Sequence, residues 1–244
     1  MNNYNRFCSS GKKIAILIDP DKPSDEALIS LMTAADSCGV DFIFVGGSLL
    51  TNNGLDGCIK LIKSVTTIPV VLFPGNTHQV SARADSFLFL SLISGRNAEM
   101  LIGAHVIAAP YLKLSGLEVI STGYMLIESG RFTTVNYMSG SFPIPSDKND
   151  IAMCTAMAGE MLGMKLIFMD AGSGAVNPIT DEMIASVKAS IGVPLIVGGG
   201  IKTPEIAVAK LKAGADVVVI GNQLENNPQM LAEFVEAVHL LNTI

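Results

Sequence analysis

The sequence predicts one α/β domain over residues 1–244, a modified (β/α)8 TIM barrel with its third helix replaced by a loop. Three observations lead there. The chain has 244 residues, close to the roughly 250 of a typical barrel of this kind. Eight short apolar runs recur along it, most of them separated by stretches of helical period. The last three runs each end in a glycine-bearing turn that precedes a helix-like stretch.

The runs fall at 13–18, 41–45, 70–73, 87–90, 118–121, 166–169, 195–197 and 217–220. Most are continuous rather than alternating, as strands buried on both faces require, and an apolar share of 49% can fill such a core. Helical patterns occupy 24–38, 56–65, 97–108, 150–162, 180–189, 204–213 and 228–241, which makes the strands parallel and the helices crossovers. Thr180 opens one of these helices. Thr203-Pro204-Glu205 puts proline at the first helical position of the next, and Gly214 closes it. Between the third and fourth runs, residues 74–85 are polar and carry no apolar stripe, so a loop is expected where the third helix would stand. The interval 124–149, with Gly130, Gly140, Pro143 and Pro145, breaks the rhythm and is expected as an insertion at the barrel mouth.

Composition excludes several classes of partner. A net charge of −6 argues against nucleic acid and anionic membranes, so an anionic substrate must find local donors. Mean hydropathy is positive at +0.47, yet apolar stretches such as 87–93 fall far short of the roughly 20 residues of a transmembrane segment. The start of the chain, from Met1 to Phe7, has no basic region followed by an apolar one, and a cytoplasmic location is expected. Cys8, Cys38, Cys58 and Cys154 lack metal-ligand or C-x-x-C spacing and are expected as reduced thiols.

In such a barrel the loops after the strands form the active face, with phosphate commonly bound after strands seven and eight. Here those loops carry Gly198-Gly199-Gly200 and Gly221-Asn222, and strand six is followed by Gly172-Ser173-Gly174. Any one of these turns serves equally as a tight strand-to-helix connection. Three on one face form a phosphate site, to which Ser173 and Asn222 add side-chain hydrogen bonds. Ile18-Asp19-Pro20-Asp21-Lys22 follows the first strand, beside strand eight. Asp19 is the better candidate ligand for magnesium, which is held by one or two carboxylates together with substrate phosphates. Asp21 is either a second ligand or a turn cap, and Lys22 either pairs with it or reaches a phosphate. Ser48, in the Gly46-Gly47-Ser48 turn, is either a further oxygen for that metal or part of an ordinary loop. Asp170, at the end of strand six, is either a general base or the N-cap of the next helix. His105 and His239 fall in helices and are expected to be structural, whereas His78 lies in the helix-poor loop and is a candidate for touching a diphosphate.

Taken together, Ile18-Asp-Pro-Asp-Lys22, Val45-Gly-Gly-Ser48, Phe73-Pro-Gly-Asn76, Ser121-Thr-Gly-Tyr124, Met169-Asp-Ala-Gly-Ser-Gly-Ala175, Val197-Gly-Gly-Gly-Ile201 and Ile220-Gly-Asn222 closely resemble the geranylgeranylglyceryl phosphate synthase family, which also contains heptaprenylglyceryl phosphate synthases. The match runs in order along almost the whole chain. The resemblance implies magnesium-dependent prenyl transfer from an allylic polyprenyl diphosphate to the sn-3 hydroxyl of sn-glycerol 1-phosphate. It implies metal positions at Asp19 and Ser48, and a glycerol-phosphate site at Phe168, Met169, Asp170, Ala171, Gly172, Ser173, Gly174, Gly199, Gly200, Gly221 and Asn222. Asp170 and Asp19 are then the catalytic pair. The family usually has tyrosine and glutamate where this chain has Phe168 and Asp170, so a phenol is lost and the carboxylate is one methylene shorter. Lys22, His78 and Tyr124 are the candidate contacts for the prenyl donor, with Met125 and the loop after it as further groove lining. The Ala-Gly-Ser-Gly form of the turn resembles the branch that uses geranylgeranyl diphosphate.

Two rival readings use the same phosphate site: a sugar-phosphate isomerase or lyase, and a catalytically silent phosphate sensor. A Schiff-base lyase wants a lysine at a strand end, and none of the eight runs ends in one. A homo-oligomer is expected, with the apolar stretch 151–164 as a candidate contact.

Overall fold

A computed structural model of the chain describes residues 2–243; Met1, the first residue of the start read above, lies outside them. Its strands are β1 (Lys13–Ile18), β2 (Phe42–Val45), β3 (Val70–Leu72), β4 (Ser86–Leu92), β5 (Glu118–Leu126), β6 (Leu166–Asp170), β7 (Leu195–Gly198) and β8 (Val217–Ile220). All pair in parallel with their sequence neighbours, and β8 returns to β1 to close the barrel. Closure leaves no sheet edge unpaired.

Side chains alternate between two cores along each strand. Phe42, Phe44, Phe168, Ile196 and Val217 fill the barrel interior. Ile43, Ile167, Met169, Val197 and Val218 face outward and pack under the helices α2 (Asp25–Cys38), α3 (Leu55–Val65), α6 (Asn149–Met161), α7 (Asp181–Lys188), α8 (Pro204–Ala213) and α10 (Leu231–Leu240). Continuous apolar strands are therefore necessary, because both faces are buried. The caps stand where the residues put them. Thr180 and Thr203 accept the backbone N–H groups of Met183 and Ile206, and Gly214 ends α8.

Residues 73–85 form no helix. Buried Gln79 holds this loop instead, accepting from the Gly75 N–H and donating to the Gly47 carbonyl at 2.8 Å. One wall of the barrel is thus left open to the β4 side.

Four elements differ from the sequence expectation. The helix expected at 97–108 starts as a π-turn over Glu99–Gly103 and runs on as α4 (Ala104–Ser115), through Pro110. Pro110 is exposed, as is Val106, whose carbonyl the proline ring leaves without its helical donor. The interval 124–149 begins as the end of strand β5 and contains a short helix, α5 (Thr134–Ser139), started by a Thr133–Asn136 capping box. The last predicted helix opens as a 3-10 turn, preceded by a short helix α9 (Asn222–Asn226). An N-terminal helix α1 (Asn3–Cys8) had no strong signal, being one and a half turns long; it inserts Phe7 into the bottom of the barrel, stacked 4.2 Å from Phe42. Among the described residues no helix is long and apolar enough to cross a membrane.

Candidate active site

The loops after β1, β2, β6, β7 and β8 enclose a polar cavity of about 530 Å3. Asp19, Lys22, Ser48, Asp170, Gly172, Ser173, Gly174, Gly199, Gly200, Gly221 and Asn222 all line it, as does the ring of Phe168. The β6 and β7 turns approach so closely that a Cβ on Gly199 would lie 2.8 Å from Asp170 Oδ1 and from the Ala171 and Gly172 nitrogens, at a φ of +80° that side chains avoid. Ser173 bridges to the β8 turn by donating to Asn222 Oδ1 at 3.0 Å. Three loops are thereby locked around a space bounded by backbone, a geometry suited to an anionic oxygen cluster.

On the β1 side, Asp19 Oδ1 accepts from the Asp21 N–H, and Asp19 Oδ2 lies 3.4 Å from Lys22 Nζ. Lys22 pairs more closely with Glu225, at 2.9 Å, so its partners are Asp19 and Glu225 and not Asp21. Burial pulls the Lys22 pKa down, but the two carboxylates outweigh it and hold the ammonium above its ordinary value. Asp21 turns away to the β2 loop, accepting from the Thr51 N–H and hydroxyl and from the Asn52 N–H, which holds its carboxyl below the usual range. It is a loop tie.

Asp170 is half-buried, on the wall of the polar cavity. Its Oδ2 accepts from the Tyr124 hydroxyl at 2.6 Å and its Oδ1 from the Gly172 N–H at 2.7 Å. Burial pushes its pKa up while those two bonds oppose the rise. Burial, with the adjacent Asp170 charge, pushes the Tyr124 phenol well above its ordinary value. The N-cap alternative for Asp170 is removed, since the next helix begins at Asp181 with Thr180 as its cap.

A second, apolar cavity of about 370 Å3 opens through the wall left by the missing helix, between β4, the π-turn, α4 and α5. Phe89, Leu92, Met100, His105, Tyr124 and Met138 are among its walls. The two cavities share Gly47, Ser48 and Phe73.

The PcrB family model matches residues 10–238. This chain belongs to the PcrB family. It is 56% identical over 228 residues to a geranylgeranylglyceryl phosphate synthase from Chitinophaga pinensis, covering 93% of this chain and 90% of that one. A solved wild-type GGGPS from Thermoplasma volcanium superposes with a TM-score of 0.91 at 34% identity, covering 98% of each chain. The (S)-3-O-geranylgeranylglyceryl phosphate synthase of Thermoplasma acidophilum, solved in complex with sn-glycerol-1-phosphate, gives a TM-score of 0.90 at 34% identity, again over 98% of each chain.

Within this PcrB-family barrel, not every predicted residue reaches a cavity. Met169 and Ala171 are corrections: with period 2 along the strand they point outward, buried at 0% and 1% exposure in the outer core, and the Ala171 N–H is spent on the Gly198 carbonyl. Met125 is outward for the same reason; Val135 and Met138 of α5 line the apolar cavity instead. His78 lies outside the walls of both cavities, exposed on the loop that its own N–H bond to Asn76 turns away. His105 is a groove wall as well as a helix residue, its ring edge-on to Phe89 at 4.5 Å with neither nitrogen hydrogen-bonded. Burial holds its pKa down, and the nearby Leu90 carbonyl opposes that fall without making a bond.

Sequence reasoning missed the polar cavity's other cations, Arg131 and Lys202. Arg131 Nη1 donates to the Gly174 carbonyl and Lys202 Nζ to that of Val176. The requirement for local donors in an acidic chain was the available signal, but it named no position.

Proposed function

We propose that this chain is a prenyltransferase joining the sn-3 hydroxyl of sn-glycerol 1-phosphate to an allylic polyprenyl diphosphate, most simply geranylgeranyl diphosphate, with release of diphosphate. The observation that carries the reading is the meeting of a polar, glycine-walled cavity and an apolar groove beside one half-buried carboxylate, Asp170. A sugar-phosphate enzyme or phosphate sensor has no use for that groove.

The glycerol phosphate sits with its phosphate among the β6, β7 and β8 turns, near Ser173 and Asn222, where Arg131 and Lys202 offset charge. Its sn-3 hydroxyl then lies toward Asp170, which orients it and takes its proton; burial raises the pKa of this carboxyl and so makes it a stronger base. Phe168 supplies only ring surface there, so the second contact on the carboxylate comes from Tyr124. The prenyl chain runs down the groove, each buried CH2 contributing roughly 0.8 kcal/mol, and Lys22 meets the diphosphate at the groove's head.

Magnesium fits the residues present. No cluster of three or more His, Cys, Asp or Glu among the described residues can hold an ion alone. Asp19 and Ser48 offer one carboxylate and one hydroxyl on the same cavity, a set that needs substrate phosphate oxygens to complete it, as magnesium sites often do. When bound, the ion supplies charge neutralisation of the leaving diphosphate. Asp19 and Ser48 would hold it.

Incubation with sn-glycerol 1-phosphate, geranylgeranyl diphosphate and magnesium tests the reading. An ether-linked product with equimolar diphosphate is expected; no ether product with this or a longer donor sinks it. The reading includes action in the cytoplasm, where the free thiols of Cys8, Cys38, Cys58 and Cys154 stay reduced. It also includes a homo-oligomer. The better contact is the exposed apolar row Ile102, Val106, Ile107, Tyr111 and Leu114 along the π-turn and α4, wider than the one on α6 and its C-cap, where Ile151, Met161 and Leu162 are exposed.

A further inference from the structure

Four aromatic rings crowd the centre of the barrel mouth: Phe44, Phe73, Tyr124 and Phe168. Three are buried, Phe44 at 0%, Phe168 at 1% and Tyr124 at 6% exposure. Phe73 is half-buried and is the member of the cluster that lines both cavities. Its ring lies 5.1 Å from Phe168, 5.9 Å from Tyr124 and 6.5 Å from Phe44. Its backbone is clamped as well: the N–H donates to the Val45 carbonyl at 2.9 Å, and its own carbonyl presses on Gly46 so closely that a Cβ there would lie 2.0 Å away. Held on one side and open on the other, the ring has little freedom to leave the junction.

Of the residues shared by the two cavities, Gly47 offers only backbone and Ser48 a hydroxyl. Phe73 alone brings an apolar face. We infer that the Phe73 ring is a catalytic residue of prenyl transfer, its π-face stabilising the positive charge that develops on the allylic carbon. The inference rests on the reaction proposed above. In that reaction the bond from C1 of the donor to the diphosphate oxygen breaks and its electron pair leaves with diphosphate. A lone pair of the glycerol hydroxyl forms the new C1–O bond, and the hydroxyl proton passes to Asp170. Between those events C1 and C3 share the positive charge of an allylic cation, delocalised across C2. The hydroxyl comes from the polar cavity and the chain from the groove, so C1 must cross the junction where Phe73 stands. A cation over a desolvated aromatic face is stabilised electrostatically by the ring quadrupole. Because the charge exists only as the bond breaks, the contact favours the transition state over the bound donor.

The test replaces Phe73 by 4-fluoro-, 3,5-difluoro- and 3,4,5-trifluorophenylalanine, which drain the π-face while nearly keeping its shape. Single-turnover rates with geranylgeranyl diphosphate should fall log-linearly with fluorine count, to roughly 30-fold below wild type for the trifluoro ring, with donor affinity changed less than about twofold. Phe73→Leu should lower kcat comparably and leave donor KM alone, and Phe73→Tyr should restore it. A rate that stays flat across the fluorinated series while wild type turns over overturns the inference and leaves the reaction standing. An inactive wild type overturns both. Rates that fall only in step with donor affinity make Phe73 groove lining and likewise overturn it.

Discussion

The Tyr124 hydroxyl donates to Asp170 Oδ2 at 2.6 Å, across from β5 to β6, and this bond is the main brake on a carboxyl that burial drives toward its neutral form. A base is useful only while ionised. Tyr124→Phe should therefore shift the acid limb of the kcat–pH profile to higher pH, because losing the bond leaves burial less opposed. At neutral pH, kcat should drop on the order of tenfold, as a hydrogen bond to a charged group allows. An acid limb that stays in place would leave Tyr124 as a groove wall only.

Asp170→Asn separates catalysis from stability. Turnover should fall by roughly 10^2 to 10^4, the usual contribution of a positioned base. Stability should not fall with it. Asp170 has a folded pKa raised by burial above its unfolded value, so its contribution to stability is full below the unfolded pKa and is lost as pH rises through the folded one. The asparagine variant removes that loss, and thermal melts should show an equal or higher Tm at neutral pH together with a flatter dependence across the acid range. A variant that melts well below wild type at neutral pH contradicts this assignment.

Asp19→Asn should abolish turnover at any magnesium concentration while calorimetry still detects glycerol 1-phosphate binding, since Asp19 stands on the β1 side of the cavity, away from the β6 and β7 turns. Ser48→Ala, removing a neutral ligand, should instead raise the magnesium concentration needed for half-maximal rate. Equal loss of metal response and acceptor binding in Asp19→Asn would move the ion elsewhere.

Gly199→Ala should damage acceptor binding first. The new methyl meets Asp170 Oδ1 and two backbone nitrogens at 2.8 Å with φ at +80°, a strain of about 1–3 kcal/mol. A fall in Tm with glycerol 1-phosphate affinity lost and donor affinity retained is the expected pattern. Ala at Gly57, where a Cβ meets nothing within 4 Å, is the control.

The barrel was legible because continuous apolar runs and capping residues are local signals. Thr180, Thr203 and Gly214 each act within one turn of where they sit. The glycine turns were legible for the same reason: close backbone approach restricts the residue type at the position itself. What the sequence could not supply was sidedness and distance. Phe168 and Met169 are adjacent and both apolar, yet one faces the interior and the other the helices, and only the register of β6 decides which. Arg131 enters the polar cavity from the β5–β6 insertion, and Tyr124 meets Asp170 across 46 positions of sequence. His78 misled because nearness along the chain to Asn76 is not nearness to the cavity.

The α4 face yields a prediction about assembly. Ile102, Val106, Ile107, Tyr111 and Leu114 recur at helical spacing, and all are more than half exposed, Leu114 at 86%. Single exposed apolar residues are ordinary, but a contiguous row along one helix is the mark of a covered surface. Because Ile107 also lines the groove, a second copy seated there would close the groove's outer side. Light scattering should give a dimer or a multiple of it for the wild type. Tyr111→Glu with Leu114→Glu should dissociate that contact and weaken donor binding, leaving glycerol 1-phosphate affinity unchanged, since the polar cavity lies on the opposite strands. A wild-type monomer refutes the interface, and a paired charge substitution on α6 that dissociates the assembly where this one does not would move it there.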